Sequence, residues 1–407
     1  MLRPPGSASG RLTSAVLGFV LVMTMTMGAF QVIALAIVAD DLTDDLGMTA
    51  LLFGAVATAN TVVGALFAPR SGRVTDLIGP KPSVVLVMVI ASIGMFITAA
   101  ANSAWILFVS CAFSGLCQGW CNPATNKLIA ERVPPGNRGT LTGIKQSGVQ
   151  LGGFLAGATL PTIASASSWR TGLVVYAIAA AATAVIALVF LGPDGPRDTG
   201  STAEQTRAQD GALPRAIWLL TIYALLMGTV VGGTGRFLPL FAENQLGMSN
   251  FAAGMVSALL GGLAIATRIL WGGLSESQVR PSLALAIQAA LAACALGLML
   301  LAVPIGSGML WVMAAVGSLG LNSWNSVAML AVITGVPTAL AGRASGVVVF
   351  GFMTGLSIGG VFPGLIEELT GRYDLAWATL LVLALVSSVL ATGNKELGRI
   401  EESPSNG

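Results

Sequence analysis

The sequence predicts an all-α membrane protein with twelve transmembrane helices in two pseudo-symmetric six-helix bundles. Three observations indicate this fold: a composition poor in charge, a series of apolar stretches long enough to cross a bilayer, and an internal repeat between the two halves. Of the 407 residues, 55% are hydrophobic and 9% are charged, whereas a soluble domain has about 25% charged residues. This composition excludes a soluble enzyme and a disordered chain.

Twelve apolar stretches recur along the chain, and each is long enough to cross roughly 30 Å of hydrocarbon. Each must be helical, because lipid offers no hydrogen-bond partner for a free backbone amide. In the first half the predicted spans are residues 12–39, 50–69, 83–101, 104–130, 140–165 and 171–191. In the second half they are residues 216–241, 251–274, 282–304, 309–336, 344–366 and 376–391. The first stretch is too long for the apolar part of a signal peptide, so we expect it to be retained.

A polar segment separates the two sets of six spans. We divide the chain into an N-terminal six-helix bundle (1–192), a cytoplasmic linker (193–215), a C-terminal six-helix bundle (216–395) and a cytoplasmic tail (396–407). With the N-terminus in the cytoplasm, 17 of the 20 Lys and Arg residues fall on the cytoplasmic side, as the positive-inside rule predicts. We therefore expect a multi-pass protein of the inner (plasma) membrane with both termini in the cytoplasm.

The two halves of the chain repeat one another. The run Leu46-Gly47-Met48 recurs as Leu246-Gly247-Met248, at an offset of 200 residues, and farther along the offset becomes 203. These offsets also pair Gly72 with Gly272, Asp76 with Glu276, Asn122 with Asn325, and Gly143 with Gly346. Two parallel six-helix repeats are typical of transporters, in which the substrate binds between the halves near the middle of the membrane.

The segment after the second predicted span carries a regular set of glycines and charges. It reads Gly72-Arg-Val-Thr-Asp76-Leu-Ile-Gly79-Pro-Lys81, and it resembles the cytoplasmic loop signature of the major facilitator superfamily, Gly-x3-Asp-x2-Gly-x-basic. It departs from that signature at Leu77 and Pro82, where the family commonly has basic residues. The resemblance to this family extends over essentially the whole chain.

The resemblance implies a transporter in which this loop is a latch that closes the cytoplasmic side. In this interpretation Gly72 and Gly79 permit tight turns. Asp76 accepts hydrogen bonds from a helix N-terminus and from a nearby cation such as Arg132 or Arg138. The predicted gating set is Gly72, Asp76, Gly79, Lys81, Arg138, Gly272 and Glu276. The alternative is that these are ordinary interface charges that obey the positive-inside rule.

Polar groups inside the apolar spans are the candidates for contact with a solute, because burial of a polar group is costly in a membrane. The predicted substrate-binding residues are Lys145, Gln146, Gln150, Asn122, Asn126, Arg236, Asn325, Trp324 and Gln31. Several have a structural alternative: Arg236 could snorkel to the outer surface, and Asn122 and Asn325 could simply join helices. Lys145 lies more than one turn inside span five and is the hardest to explain in this way.

The charged residues inside the spans are all cationic: Lys127, Lys145, Arg236 and Arg268. Lys127 could pair with Glu131 one turn away, and Arg268 could belong to a second latch. A cavity with fixed positive charge favours an anion, such as a small carboxylate. The resulting hypothesis is a secondary active transporter that imports a small organic anion by alternating access.

The alternative on the same fold is a proton-coupled exporter of drugs or metabolites. Glycine ridges in spans five and eleven resemble the family's antiporter motif, but the proline of that motif is replaced by Gly153 in one ridge and by Leu356 in the other. A second motif, which the family's proton-coupled drug exporters have in span four, begins with an arginine, and this chain has Cys111 at that position.

An enzyme is disfavoured, because histidine is absent and no nucleophile–base set, metal site or nucleotide motif is visible. We expect no cofactor and no nucleic acid as a partner. The expected partners are the small-molecule substrate and the lipid bilayer. Whether a proton is coupled to transport stays open, because no acid occupies the middle of a span.

Overall fold

The computed structural model describes residues 8–194, 212–394 and 396–397. In the first half its helices are α1 (Ala8–Ile37), α2 (Ala39–Leu46), α3 (Ala50–Ile78), α4 (Pro80–Ala99), α5 (Ala104–Arg132), α6 (Arg138–Gln146), α7 (Gly148–Ala166) and α8 (Trp169–Phe190). In the second half they are α9 (Arg215–Asn244), α10 (Asn250–Ser277), α11 (Pro281–Ile305), α12 (Met309–Gly320), α13 (Trp324–Gly335), α14 (Ala341–Gly359), α15 (Phe362–Thr370) and α16 (Asp374–Gly393). Most of the predicted linker and tail, residues 195–211 and 398–407, lies outside the described residues.

Twelve helical segments within the described residues are long and apolar enough to span a membrane, which confirms the predicted twelve-helix fold. Three of these spans consist of two helices: α6 with α7, α12 with α13, and α14 with α15. A single helix was expected in each case. A glycine borders each break, at Gly148, Gly320 and Gly360, and glycine weakens a helix interior.

The second span is longer than predicted. Helix α3 continues through Pro69 to Ile78, so the expectation that Gly72 and Asp76 lie in a loop is wrong. Transmembrane helices tolerate proline, since neighbouring groups can satisfy the freed backbone carbonyl. The chain turns only at Gly79, where φ is +95°, a value that glycine adopts without strain.

Each half of the chain packs chiefly on itself. In the first half α3 packs on α5, α4 on α8 and α1 on α7; in the second half α9 packs on α14 and α11 on α16. Between the halves, the main contacts join α3 to α14 and α6 to α10. These two helix pairs position the groups that we describe next.

Consecutive spans alternate in direction, so the loops divide between two ends of the bundle. These two ends differ in charge. One end contains the turn at Gly79 and the loops at residues 133–137 and 278–280. Because Arg132, Arg138 and Arg280 lie there, we call it the basic end. The opposite end contains α2, with Asp41, Asp44 and Asp45.

Candidate functional site

Asp76 joins the two halves at the basic end. Its carboxylate accepts hydrogen bonds from the backbone amides of Gly342 (3.0 Å) and Arg343 (2.8 Å), which form the N-terminus of α14. An ion pair with Nζ of Lys127 (3.1 Å) completes the contact, and the Asp76 side chain is 3% exposed. A helix N-terminus and a cation both stabilise a carboxylate. The contact therefore has the helix-capping geometry that the predicted latch requires.

Glu276 makes the corresponding contact with the roles of the halves exchanged. Its carboxylate accepts from the backbone amides of Gly136 (2.8 Å), Arg138 (2.9 Å) and Gly139 (2.6 Å), at the N-terminus of α6. The backbones meet closely, since a Cβ on Gly272 would lie 2.3 Å from the carbonyl oxygen of Gly139. Each half thus places a carboxylate on a helix N-terminus of the other half.

The cation beside Asp76 is Lys127, and the expectation of Arg132 or Arg138 is wrong. The Arg132 guanidinium instead pairs with Asp194 at 2.8 Å. The Arg138 guanidinium donates to carbonyl oxygens of its own half, at Ala130 and Val133. The backbone amide of Lys81 lies 3.3 Å from the Asp194 carboxylate, so Lys81 contributes to the N-terminus of α4 rather than to the contact between the halves.

Lys145 is a fully buried ammonium group in α6. It is 0% exposed, and Nζ donates to Oδ1 of Asn122 (3.2 Å), Oγ1 of Thr125 (2.8 Å) and Oδ1 of Asn126 (2.5 Å). The amide of Gln146 donates to the same Asn122 oxygen (2.9 Å). The three protons of the Lys145 ammonium group thus meet three neutral oxygens, all of them supplied by α5.

Asn126 extends this cluster to the second half. Its Nδ2 donates to Oγ of Ser345 on α14 (2.8 Å) and lies 3.1 Å from Sδ of Met329 on α13. Both asparagine groups are therefore occupied, one by Lys145 and the other across the interface. The cluster around Lys145 reaches the junction of the two halves.

Arg268 of α10 is also a buried cation. Its side chain donates to the carbonyl oxygen of Asn322 (2.6 Å), to the carbonyl oxygen of Gln146 and to Oε1 of Gln150. The residue is 7% exposed. Because Gln146 and Gln150 belong to the first half, Arg268 bridges the halves, and all its acceptors are neutral.

The four cations predicted inside the spans differ in their counter-ions. Lys127 pairs with Asp76 and, at 3.6 Å, with Glu131. Neither Lys145 nor Arg268 forms an ion pair with any carboxylate of the described residues. Burial of an uncompensated charge is unfavourable. Among the described residues, no carboxylate neutralises these two positive charges, so a bound anion would stabilise the site.

The internal repeat shows that the backbone contact at position 268 does not depend on the Arg268 side chain. A Cβ on Gly143 would lie 2.5 Å from the carbonyl oxygen of Arg268, and at the equivalent contact a Cβ on Gly346 would lie 2.2 Å from that of Ala68. Alanine thus supports the same backbone approach. The guanidinium of Arg268 is not required for these helices to pack.

Two of the predicted binding residues lie away from this cluster. Arg236 is exposed, and its guanidinium lies 3.4 Å from the carbonyl oxygen of Gly360. Gly360 is fifteen residues beyond Ser345 in the sequence, about 22 Å along a helix. Gln31 donates to Oγ1 of Thr98 (2.7 Å) and joins helices inside the first half.

The predicted pair Trp324 and Asn325 begins α13. Trp324 is 1% exposed, and its ring packs edge-on against Tyr223 and Phe352, with centroids 5.6 and 5.5 Å apart. Asn325 has a buried Oδ1 without a hydrogen-bond partner in the described part of the chain. Trp324 is thus part of the core, and Asn325 retains a free acceptor.

Sequence reasoning did not select three members of the cluster for binding. Thr125 and Ser345 are small hydroxyl residues, which abound in membrane helices, so nothing distinguished them. Arg268 is among the four cations predicted inside the spans, but it is not in the predicted binding set, because it precedes Gly272 by one turn and could belong to a second latch. The signal that was missed is the equivalent position in the first repeat, which is Ala68. The latch residues recur in both halves, whereas the charge of Arg268 does not.

Comparison with known proteins gives one consistent result. The family model described as Major Facilitator Superfamily matches residues 19–392. The chain is 28% identical over 176 residues to a hexuronate transporter of Bacillus subtilis, a match that covers 43% of this chain and 42% of that one. It is 24% identical over 358 residues to a "probable sulfoacetate transporter SauU" of Cupriavidus necator, over 82% of both chains. The solved proton:xylose symporter XylE superposes with a TM-score of 0.76 at 14% identity, over 94% of this chain and 96% of that chain.

Proposed function

The chain belongs to the Major Facilitator Superfamily, a family of membrane transporters rather than enzymes, and we propose that its solute is a small organic anion such as a carboxylate, moved by alternating access. The observation that carries this proposal is the pair of buried cations without a carboxylate partner, Lys145 and Arg268, whose contacts among the described residues are all with neutral oxygens. A carboxylate is the natural partner of an ammonium and a guanidinium group. Hexuronate and sulfoacetate, the solutes in the names of two relatives, are both organic anions.

The position of the two cations also supports a solute site. Lys145 lies seven residues from the N-terminus of α6, and Arg268 nine residues from the C-terminus of α10. At 1.5 Å per residue these positions are about 10 and 14 Å from the basic end of each helix. Since hydrocarbon is roughly 30 Å thick, both cations approach the depth at which transporters of this architecture bind substrate.

The proposal includes an orientation and a conformational state. The basic end faces the cytoplasm of an inner (plasma) membrane, in accord with the positive-inside rule. Asp76 and Glu276 each hold a helix of the opposite half at that end, so the described state is closed towards the cytoplasm. For the solute to be released there, both contacts must break. Import is coupled either to a proton that the anion itself carries or to exchange of anions.

A binding assay on the purified chain tests the anion proposal. A ligand that binds only the folded state raises the melting temperature by mass action. We expect small carboxylates to stabilise the protein in detergent, and Lys145→Met and Arg268→Gln to weaken that effect. Arg280→Gln is the matched control, because Arg280 is an exposed cation at the basic end and its loss leaves the site intact.

The exporter alternative predicts the reverse outcome. Stabilisation by lipophilic cations, unaffected by Lys145→Met and Arg268→Gln, would overturn the anion proposal. Uptake into proteoliposomes then distinguishes the coupling modes: exchange requires an anion on the inner side, whereas entry with a proton responds to an inward proton gradient without it.

A further inference from the structure

We infer that the preferred solute is a dianion with two acidic groups, one bound by Lys145 and the other by Arg268. This inference rests on the proposed function and narrows its solute class. It follows from three features of the site: the link between the two cations, their net charge, and their origin in different halves of the protein.

A single residue links the two cations. Gln146 accepts from Arg268 through its backbone carbonyl and donates through its side chain to Oδ1 of Asn122, which also accepts from Lys145. The Gln146 side-chain oxygen is buried without a hydrogen-bond partner in the described part of the chain. The two positive groups therefore flank one polar segment, on which an acceptor is still free for a hydroxyl or a protonated group.

The charge of the site favours two negative groups over one. The third buried cation, Lys127, has its own carboxylates, those of Asp76 and Glu131. Lys145 and Arg268 have none in the described residues. A monoanion would leave one of these buried charges unpaired, whereas a dianion would neutralise both, and unpaired buried charge is costly.

The two cations come from different halves, and this gives the second charge a role in transport. Lys145 is in the first half and Arg268 is in the second. In the described state the amide oxygen of Gln150 contacts Arg268, where a carboxylate would bind. Gln150 is only partly buried, so a stronger acceptor can displace its side chain. A dianion would then bridge the halves through ion pairs, and a monoanion would engage one half alone.

Calorimetric titration of the full chain in detergent tests the inference. The probes are succinate and malonate, compared with the monoanions butyrate and propionate, at a pH at which all are ionised. We expect the dicarboxylates to bind at least about tenfold more tightly, because a charge-assisted hydrogen bond contributes that much. Lys145→Met and Arg268→Gln should each abolish this preference, while Arg280→Gln should keep it.

Gln150→Glu is a second variant that leaves both cations in place. Its carboxylate should occupy Arg268, so that dicarboxylates lose their advantage and monocarboxylates still bind through Lys145. This variant keeps the test decisive if Lys145→Met does not fold. If wild type binds monocarboxylates and dicarboxylates equally, or if Gln150→Glu keeps the dicarboxylate preference, the inference is wrong and the anion proposal stands. If no carboxylate binds wild type, both fail.

Discussion

Asn126 and Met329 occupy equivalent positions of the two repeats, 203 residues apart, and their side chains meet, with Nδ2 of Asn126 3.1 Å from Sδ of Met329. Two positions related by a two-fold axis can touch only beside that axis. The pseudo-two-fold axis therefore passes between α5 and α13 at this point. Asn126 also accepts from Lys145, so the cation cluster begins at the axis that relates the two halves.

Replacement of Asn126 should destabilise the protein through Lys145. Asn126→Leu removes an acceptor from the buried ammonium and the donor to Ser345, and an unsatisfied buried group costs about 1–3 kcal/mol. Met329→Leu is the control, since this nearly volume-conserving change costs less than about 1.5 kcal/mol. Urea or thermal unfolding in micelles measures both. Equal stability of the two variants would show that Asn126 does not hold the ammonium group.

The two latches should differ in strength because, among the residues that the structure describes, a cation pairs with Asp76 and none pairs with Glu276. Asp76→Asn breaks a nearly buried ion pair with Lys127, a change that typically costs about 3–5 kcal/mol. Glu276→Gln removes a charge whose partners in the described part of the chain are backbone amides, and loss of such a helix-terminal charge costs about 1 kcal/mol. We expect Asp76→Asn to lower the melting temperature more. The opposite order would mean that Lys127 adds nothing to the first latch.

Hydrophobicity predicted the fold because twelve spans are set by composition and length, which are visible in a single sequence. The ends of the spans were less accessible. The second span was predicted to end at Pro69, yet α3 continues to Ile78, where it packs on α5 and α14. Local propensity is a weak signal where tertiary contacts decide.

The site was predicted only in part for a related reason. Lys145, Asn122 and Asn126 lie on neighbouring elements of one half, and their polarity inside apolar spans identified them. Arg268 joins them from the other half through Gln146 and Gln150, a contact that depends on how the halves dock. The partner of Asp76 was mistaken for a different reason: Lys127 lies in the same half, but Glu131 one turn away was its expected partner, and Lys127 contacts both carboxylates.

Gly72 should be sensitive to the smallest substitution. A Cβ on Gly72 would lie 2.3 Å from the carbonyl oxygen of Gly342, so Gly72→Ala must push α3 away from α14. We expect it to lower stability by about 1–3 kcal/mol, although alanine is the better helix former. Gly54→Ala on the same helix is the control, because nothing lies within 4 Å of its added Cβ. Its stability should be unchanged or rise by up to about 1 kcal/mol.

Thermal unfolding of both glycine variants decides between packing and propensity. If Gly72→Ala were as stable as Gly54→Ala, the close contact of α3 with α14 would not exist in the folded protein. The equivalent variant Gly272→Ala should resemble Gly72→Ala, since its added Cβ would lie 2.3 Å from the carbonyl oxygen of Gly139.

Stability should depend on acid pH through Asp45 at the opposite end. A hydrogen bond from Arg170 lowers the pKa of Asp45 below its usual range. A carboxylate with a depressed pKa stabilises the fold above its unfolded value of about 3.9, and this stabilisation is lost as the pH falls through the folded pKa. Asp45→Asn should therefore lower the melting temperature at pH 7, and the gap to wild type should narrow as the pH falls from about 3.9 towards pH 3. Asp44→Asn, which replaces an exposed neighbour on α2, should leave the melting temperature unchanged at both values. A gap for Asp45→Asn of the same size at pH 3 as at pH 7 would mean that the contact with Arg170 acts through shape rather than charge.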